Sequence, residues 1–244
     1  MWDYIFLGIL QGIFEWIPIS SQGITALASQ YFLKEFHPID VAIFLHLGTL
    51  LAVLIYFRKE WKEVLTLKDK NLFYFLIIAT FFSLIVGFPL YKSVKEITIG
   101  AGLLVVMGFG LLLTSFLQKE RKSFNLNLNH LAIFSGFLQG LSVIPGLSRS
   151  GSTIFGLSLG KKNPSEILKI SYMMSAPVIF LASFYLYFKN PILINECWIS
   201  LIFSFLVGIS TLHYLIKFSQ RIDFSKFTLI FGFLCFLGAI FSFF

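Results

Sequence analysis

Charged residues and cysteines are scarce in this chain. Only 13% of its residues are charged, whereas an ordinary soluble domain carries about 25%. The two cysteines, Cys197 and Cys235, stand in separate apolar runs without the spacing of metal ligands, so we interpret both as packing residues. Hydrophobic residues make up 57% of the chain, and the mean hydropathy is +0.85. This composition predicts a membrane protein rather than a soluble one.

The length of 244 residues suits one compact helical unit, because a bilayer span takes about 20 residues. A second, soluble domain has no room. The net charge of +7 does not indicate a nucleic-acid partner, because the basic residues lie in short loops between apolar runs. No Lys or Arg precedes the first apolar run and no small-residue cleavage site follows it, so we expect no removable signal peptide.

Six apolar runs are long enough to cross a bilayer as helices, namely residues 41–57, 72–91, 97–117, 167–188, 198–216 and 227–244. Two further apolar stretches, residues 2–32 and 131–159, are each interrupted by a cluster of Pro, Gly and Ser. We interpret each stretch as a re-entrant hairpin of two half-length helices that meet at a break. Irregular backbone survives at membrane depth only beside protein or a water-filled cavity, so the breaks should line a cavity.

The two interrupted stretches resemble each other. The pattern Gly-x-Leu-Gln-Gly begins at Gly8 and again at Gly136, and an Ile-Pro pair follows each. Three spans follow each hairpin, and an odd number of spans turns the second half upside down. We therefore predict a single membrane domain with an inverted-topology repeat, residues 1–125 and 126–244. Gln11 and Gln139 should then lie near the midplane, related by a pseudo-two-fold axis in the membrane plane.

The charges of the loops agree with this plan. If loop 58–70 is cytoplasmic, loops 119–122, 161–169 and 217–226 lie on the same side. Together these loops carry 14 basic residues, against four on the other side. This asymmetry follows the positive-inside rule. Arg149 is the one basic residue left over.

Arg149 stands in the second break, in the sequence Pro-Gly-Leu-Ser-Arg-Ser-Gly-Ser-Thr of residues 145–153. Gly146 permits a tight turn, and the residues after it begin a short helix, so backbone N–H groups would point at an anion. The planar guanidinium of Arg149 matches phosphate oxygens. The hydroxyl groups that can donate hydrogen bonds beside it are those of Ser148, Ser150, Ser152 and Thr153.

Glu15 lies inside the first interrupted stretch, four residues after Gln11, so both face one side of a helix. An ionisable residue inside a membrane segment is costly and is a functional candidate by default. A structural alternative stays open, in which Glu15 only balances the charge of Arg149. Ser20 and Ser21 either cap the next half-helix or present a hydroxyl to the anion, as a nucleophile or as a hydrogen-bond donor.

These motifs resemble the undecaprenyl pyrophosphate phosphatase family of the bacitracin-resistance type. The likeness rests on Gln-x-x-x-Glu at 11–15, Pro-x-Ser-Ser-x-Gly at 18–23 and the sequence 145–153, and it continues through His-Leu-Gly-Thr at 46–49, Ser-Ala-Pro at 175–177 and Leu-Ile-Lys-Phe at 215–218. It therefore covers nearly the whole chain. The resemblance implies an all-α integral membrane hydrolase with six transmembrane helices, two re-entrant hairpins and inverted repeats.

The resemblance also implies an activity. Such an enzyme removes the terminal phosphate from a polyprenyl diphosphate at the cell membrane, assisted by a divalent cation such as Mg²⁺ or Ca²⁺. The reaction regenerates the lipid carrier of cell-wall glycan synthesis.

By that resemblance, Glu15 is the essential carboxylate and the metal ligand, Ser21 is a hydroxyl at the reacting phosphate, and Arg149 is the phosphate clamp. The further residues expected at the phosphate are Gln11, Ser20, Gln139, Gly146, Ser148, Ser150 and Thr153. One departure is minor, since Gln11 stands where many members have a Glu.

The more serious departure is Ile24, which stands where the family usually has a His directly after Ser-x-x-Gly. Glu15 is then the only carboxylate of the two broken stretches apart from Asp3, so a two-metal mechanism has little support. We expect electrostatic stabilisation by Arg149 and by helix ends, a single bridging cation, and Glu15 as general base toward water or Ser21.

The missing His leaves a second function open, a polyprenyl-phosphate flippase in which the same pocket binds the headgroup. His46, early in the first span, is the only plausible stand-in, although it could instead make an ordinary helix–helix hydrogen bond. We expect Glu15→Gln to abolish hydrolysis, His46→Ala to weaken it, and Ile24→His to be tolerated or to raise the rate. The expected partners are the lipid diphosphate and the bilayer but no nucleic acid, and a homodimer stays open.

Overall fold

The computed structural model describes residues 1–17, 20–97, 101–119, 127–160, 164–218 and 224–241. These residues form α-helices and no strands, as expected of a chain whose backbone must satisfy its hydrogen bonds inside a bilayer. The helices are α1 Trp2–Phe14, α2 Ser21–Phe32, α3 Pro38–Tyr56, α4 Arg58–Leu65, α5 Lys70–Ile97, α6 Ala101–Lys119, α7 Leu128–Leu141, α8 Arg149–Ser158, α9 Pro164–Lys189, α10 Pro191–Phe218 and α11 Phe224–Phe241.

Four helices of the described chain are long and apolar enough to cross a membrane. Their spans are Pro38–Tyr56, Lys70–Val94, Ser165–Lys189 and Asn195–Lys217, and they match four of the six predicted runs. The other two runs, residues 97–117 and 227–244, fall mainly on α6 and α11. Residues 98–100 and 242–244 of those runs lie outside the described residues, as do parts of the predicted loops at 120–122, 161–163 and 219–223. The length and apolar composition of these helices indicate a membrane protein.

Both interrupted stretches are broken where the sequence predicts. Helix α1 ends at Phe14 and α2 begins at Ser21, while α7 ends at Leu141 and α8 begins at Arg149. Pro18 and Ile19, in the first break, lie outside the described residues. Gly146 in the second break has a φ of +93°, a conformation that glycine adopts without steric cost. Its backbone lies against that of Met107 in α6.

Small residues bring the half-helices close to two long helices. Helix α1 packs on α10 and α7 packs on α5, in the manner of membrane helices whose glycines allow close approach. In the first pair, Gly8 lies against Ser200 and Gly12 lies against Ser204, Val207 and Gly208. In the second pair, Gly136 lies against Ala79 and Gly140 lies against Ser83, Val86 and Gly87.

Helices α3 and α9 pack against each other and carry the two short helices of the breaks. Helix α2 packs on α3 and α8 packs on α9. The largest buried cluster includes Trp16 of the first break, Leu50 and Val53 of α3, and Tyr172 and Met173 of α9. This cluster also includes Leu157 of α8, whereas Ala26 of α2 belongs to a separate cluster with Ile39 and Met107.

Gly12→Ala should destabilise the fold, because an added Cβ would lie 2.8 Å from both the backbone nitrogen of Gly208 and the Cβ of Val207. Overpacking of this kind costs about 1–3 kcal/mol. We expect a lower midpoint of thermal unfolding in detergent. The matched control is Gly208→Ala, whose added Cβ would meet Thr49 Cγ2 at 3.1 Å and otherwise nothing closer than 3.8 Å. Equal midpoints for the two variants would contradict this account of the α1–α10 contact.

Candidate active site

Glu15 follows the last residue of α1 and is 3% exposed. Its backbone N–H still donates to the carbonyl of Gln11 at 3.0 Å, so the last turn of α1 extends to this carboxylate. The side chain of Gln11, one turn earlier, donates through Nε2 to Glu15 Oε2 at 2.7 Å. The predicted shared face of Gln11 and Glu15 is thus observed as a direct contact.

The residues on either side of Glu15 are anchored to α9 and α10. Trp16 donates through Nε1 to the carbonyl of Gly208 in α10 at 2.8 Å. Tyr172 of α9 donates to the carbonyl of Trp16 at 3.3 Å, and the two rings pack edge to face. A hydroxyl of α10, that of Thr211, donates to the carbonyl of Gly12 at 2.6 Å. The bonds from Tyr172 and Thr211 satisfy two backbone carbonyls beside the break, and all three bonds hold the segment that carries Glu15.

The second half-helix of the first hairpin begins with two serines. Ser20 is the N-cap of α2, and its Oγ accepts a hydrogen bond from the N–H of Gly23 at 3.3 Å. It also accepts one from the N–H of Gly146, in the other break, at 2.9 Å. Ser20 has a φ of +66°, which is uncommon for a residue with a side chain and marks local strain. Ser21 donates through Oγ to Glu15 Oε2 at 2.7 Å.

Arg149 is the first residue of α8, after the N-cap Ser148. Its Nη2 donates to Glu15 Oε1, and its Nη1 lies 3.5 Å from the carbonyl of Ser171 in α9. The hydroxyl of Ser148 accepts from the N–H of Gly151 at 3.2 Å and lies 3.1 Å from the hydroxyl of Ser150. The two broken stretches thus meet through the ion pair of Glu15 and Arg149.

His46 of α3 completes the group. Its Nε2 lies 3.1 Å from Glu15 Oε2, and its Nδ1 lies 2.6 Å from the carbonyl oxygen of Ala42. The sequence left open whether His46 joins the site or only joins two helices. In the structure it contacts the carboxylate directly.

A small cavity of about 20 Å³ opens among these side chains. The residues that line it are Glu15, Ser20, Ser21, Gln22, His46, Ser142, Leu147, Ser148, Arg149 and Ser150. They include the first residues of both α2 and α8, so the positive ends of two helix dipoles lie at the same space. Such a space suits an anion.

Six of the predicted residues line this cavity, namely Glu15, Ser20, Ser21, Ser148, Arg149 and Ser150. Gln11 and Gly146 only contact lining residues, Glu15 and Ser20 respectively, and Gln139 and Thr153 make other contacts. Gln139 donates through Nε2 to Ser83 Oγ at 3.1 Å and to the carbonyl of Met174 at 3.2 Å, which joins α7 to α5 and α9. Thr153 donates to the carbonyl of Arg149 at 2.8 Å and lies 2.6 Å from Ser171 Oγ. Neither residue lines the cavity. Thr153 contacts the backbone of Arg149 one turn later in α8.

Three lining residues were not predicted from the sequence. Gln22 donates through Nε2 to the carbonyl of Val143 at 3.2 Å, and Ser142 donates to the carbonyl of Gln139 at 2.6 Å. Leu147 contributes an apolar wall. The signal for Gln22 was available, since it lies between Ser21 and Gly23 in the first motif. Ser142 carries no comparable signal, because it follows the end of α7 outside both motifs.

The donor set at the cavity fits a lightly held cation rather than a metal cage. Glu15 is the only carboxylate among the described lining residues. Within the described part of the chain, no three His, Cys, Asp or Glu side chains are grouped closely enough to hold a metal ion. Gln11, which contacts Glu15 but does not line the cavity, has a buried Oε1 without a hydrogen-bond partner. A Mg²⁺ bound mainly by phosphate oxygens and water, with one carboxylate and one amide oxygen from the protein, suits these residues.

Comparison with known proteins agrees with the motifs. The family described as "Bacitracin resistance protein BacA" matches residues 4–240. Similar proteins named undecaprenyl-diphosphatase occur in Methanococcoides burtonii, 34% identical over 92% of this chain and 93% of the relative, and in Methanococcus maripaludis, 36% identical over 98% of each. A third, from Halothermothrix orenii, is 35% identical over 72% of this chain and 70% of the relative. The chain belongs to the bacitracin resistance protein BacA family.

Proposed function

We propose that this protein is a membrane phosphatase that hydrolyses a polyprenyl diphosphate, such as undecaprenyl diphosphate, to the monophosphate and inorganic phosphate. The observation that carries the proposal is the group of buried Glu15 and Ser21 with partly buried Arg149, at a cavity faced by two helix starts. The names of the relatives favour this function over the flippase alternative. The product is the lipid carrier, which returns to glycan synthesis at the cell membrane.

The terminal phosphate binds where Arg149 and the N-termini of α2 and α8 converge. In a site shielded from water, fixed donors stabilise the charge that develops on the phosphoryl oxygens more than they would in solution. Ser148 and Ser150 line the same wall and can donate their hydroxyl hydrogens. Glu15 holds Arg149 in place until the substrate competes for the guanidinium.

Ser21 is the nucleophile in this proposal, and Glu15 is its general base. The hydroxyl already donates to Glu15 Oε2 at 2.7 Å, within the range expected of an activated nucleophile and its base. The base is in turn oriented by Gln11 and Arg149. Attack by Ser21 Oγ on the terminal phosphorus would form a phosphoserine, which water then hydrolyses.

Ser21→Ala should reduce phosphate release by about a hundredfold or more, the scale of a lost step of nucleophilic or acid–base catalysis. Acid quenching of the wild-type protein during turnover should trap a phosphate on the peptide that contains Ser21. The matched control is Ser29→Ala, another buried hydroxyl of α2 that donates only to the carbonyl of Ala26. If the rate of phosphate release by Ser21→Ala is within tenfold of the wild-type rate and no phosphoserine is trapped in the wild type, water is the nucleophile instead.

We propose that the reaction is assisted by a single divalent cation, Mg²⁺ or Ca²⁺, with Glu15 and Gln11 as its protein ligands. The unpartnered Gln11 Oε1 supports this placement. A bound cation would neutralise part of the charge of the diphosphate. Cation binding is measured by isothermal titration calorimetry. We expect the cation to bind the protein only when the lipid diphosphate is present. An unchanged cation affinity in Gln11→Leu would contradict this ligand set.

The cavity must widen when substrate binds. A volume of about 20 Å³ holds about one water molecule, which is less than a diphosphate headgroup requires.

We propose an inverted repeat of residues 1–125 and 126–244, with six spans and two re-entrant hairpins in one domain. The packing supports it, because α1 lies on α10 as α7 lies on α5, and α2 lies on α3 as α8 lies on α9. The two hairpins also have matching capping residues and matching threonine hydrogen bonds. Ser20 and Ser148 are both N-caps, and Thr25 and Thr153 donate to the carbonyls of Ser21 and Arg149, each at 2.8 Å. Ser21 and Arg149 thus begin equivalent half-helices.

An experimental structure in a lipid nanodisc tests the proposed topology. The proposal expects α1 and α7 to enter from opposite sides and to end near the midplane, with Gln11 and Gln139 related by a pseudo-two-fold axis. A density map in which α1 forms part of a complete span would contradict it.

The activity itself is tested by phosphate release from a long-chain polyprenyl diphosphate by the purified protein in detergent. The assay is run with Mg²⁺, with Ca²⁺ and with a chelator. We expect release of inorganic phosphate that the chelator suppresses. If no phosphate is released under any of these conditions while the lipid still binds, the protein is better described as a lipid diphosphate binder or transporter.

Ile24→His should be tolerated, because this position lies one turn after Ser20 and Ser21 on α2. The side chain of Ile24 now packs against an apolar cluster that includes Ala26, Ile39 and Met107. A His there would restore the usual family residue beside the motif, so we expect phosphate release equal to or above that of the wild type. Leu27→His, which introduces the same imidazole into the same cluster one turn further along, is the control for the loss of packing. A large loss in Ile24→His alone would show that this site excludes the family's histidine.

A further inference from the structure

Arg149 changes partners in the proposed reaction. In the structure its Nη2 donates to Glu15 Oε1, and the terminal phosphate must compete with that carboxylate for the guanidinium. An arginine side chain has many rotamers, so a guanidinium released by its partner loses its alignment unless another contact keeps it. That contact has to come from residues that the phosphate does not displace.

Ser171 of α9 reaches Arg149 in two ways. Its carbonyl oxygen lies 3.5 Å from Arg149 Nη1, the guanidinium nitrogen that does not contact Glu15. Its hydroxyl lies 2.6 Å from Thr153 Oγ1, which donates to the backbone carbonyl of Arg149 at 2.8 Å. Ser171 and Thr153 are fully buried and do not line the cavity. A phosphate in the cavity would therefore leave these contacts in place.

The direction of the hydrogen bond between the two hydroxyls can be assigned. Thr153 has one hydroxyl hydrogen, and it faces the carbonyls of Arg149 and Ser150 at 2.8 and 3.3 Å, which only accept. In the contact between Ser171 and Thr153, Ser171 therefore donates and Thr153 accepts. A continuous chain of hydrogen bonds thus runs from α9 through Thr153 to the first turn of α8.

The next residue of α9 holds the other half of the site. Tyr172 donates to the carbonyl of Trp16, which directly follows Glu15. Adjacent residues of one helix thus contact both breaks, Ser171 the one with Arg149 and Tyr172 the one with Glu15. The spacing of the guanidinium and the carboxylate therefore does not depend on their direct contact alone.

We propose that Ser171 is a positioning residue that keeps the guanidinium of Arg149 aligned on the transferred phosphoryl group after Glu15 releases it. The inference rests on the proposed phosphatase function. Arg149 touches the substrate, and Ser171 acts only through Arg149. Alignment matters most in the transition state, where charge develops on the phosphoryl oxygens. Loss of the Ser171 hydroxyl should therefore lower kcat and leave KM almost unchanged.

Ser171→Ala removes the hydroxyl and keeps the backbone carbonyl. We expect kcat to fall about tenfold and KM to stay within about twofold, because a small misplacement of a catalytic group costs up to about a hundredfold and the carbonyl contact remains. The matched control is Ser183→Ala, a buried hydroxyl more than three turns further along α9, which should keep the wild-type kcat.

Thr153 provides a conservative rescue. Thr153→Val has nearly the same shape but loses the hydroxyl that joins Ser171 to Arg149, so kcat should fall at least as far as in Ser171→Ala. Thr153→Ser keeps this hydroxyl and should stay within about twofold of the wild type. Equal values of kcat for Thr153→Val and Thr153→Ser would overturn the proposal.

A double-mutant cycle separates positioning from a general loosening of the fold. Ser171→Ala is introduced into the wild type and into Arg149→Lys. If Ser171 acts through the guanidinium, the change should lower kcat about tenfold in the first protein and less than about twofold in the second. The same loss in both proteins, or a wild-type kcat in Ser171→Ala, would contradict the role of Ser171.

The same cycle on binding makes the test independent of turnover. Orthovanadate adopts the five-coordinate geometry of phosphoryl transfer, and an analogue of this kind reports interactions made in the transition state. Measured by isothermal titration calorimetry, Ser171→Ala should weaken vanadate binding about tenfold in the wild type and leave it unchanged in Arg149→Lys. No vanadate binding by the wild type, or an affinity that Ser171→Ala does not change, would overturn the proposal. If this coupling is found but the wild type releases no phosphate, the role of Ser171 stands and the phosphatase function is rejected.

Discussion

Glu15→Gln should abolish phosphate release. A general base contributes about a hundredfold to ten-thousandfold to the rate, so we expect the loss of activity to be of that size. The amide keeps the shape of the side chain but cannot take the proton from Ser21. It also removes the charge that holds Arg149 and His46 at the cavity. The measurement is phosphate release from a polyprenyl diphosphate under saturating substrate, alongside the midpoint of thermal unfolding.

The control for this variant is Glu196→Gln, an exposed carboxylate of α10. Removing one partner of a buried ion pair costs about 3–5 kcal/mol, so the unfolding midpoint of Glu15→Gln should fall while that of Glu196→Gln does not. If Glu15→Gln is folded and keeps most of the wild-type activity, Glu15 is not the base, and a structural role as partner of Arg149 is the remaining interpretation.

Arg149→Lys should lower turnover by about a hundredfold to a thousandfold, the cost of removing one donor that stabilises a developing charge. The guanidinium contacts Glu15 and approaches the carbonyl of Ser171 with different nitrogens. A lysine keeps the charge but replaces this planar fork with a single point. Because Glu15 retains a cationic partner, the fold should survive, and the unfolding midpoint should change little.

Arg58→Lys, an exposed substitution in α4, is the matched control. Arg149→Ala is less informative, since it leaves Glu15 without a counter-charge in α8. Turnover of Arg149→Lys equal to that of the wild type would remove the clamp role. It would leave the helix N-termini and the serines as the phosphate site.

The sequence predicts those features of the fold that depend on local chemistry. Proline, glycine and serine in the middle of apolar runs predict breaks, and in the structure α1 ends at Phe14 and α7 ends at Leu141, before the two clusters. The repeated Gly-x-Leu-Gln-Gly pattern identified the two half-helices whose glycines lie against α10 and α5. The sequence did not indicate which long helices these would be. That choice depends on surface shape along entire helices, which no short pattern records.

Only part of the site could be predicted from the sequence, because the contacts between distant segments depend on how whole helices pack. The sequence offered a pairing of Glu15 with Arg149 as an alternative, because opposite charges inside a membrane tend to pair with each other. The distance from His46 to Glu15 could not be derived, since it depends on how α3 packs beside the break in α1 and α2. Likewise, Gln139 repeats Gln11 in sequence, but it contacts Ser83 and Met174 rather than a carboxylate.

Hydrolysis in water enriched with oxygen-18 tests the central claim most directly. The purified protein is incubated with a polyprenyl diphosphate and a divalent cation, and both products are analysed by mass spectrometry. Attack on the terminal phosphorus, with or without a phosphoserine, predicts one heavy oxygen in the inorganic phosphate and none in the polyprenyl phosphate. Heavy oxygen in the lipid product, or no products at all, would contradict the assignment of Glu15, Ser21, His46 and Arg149 as the site of terminal phosphate transfer.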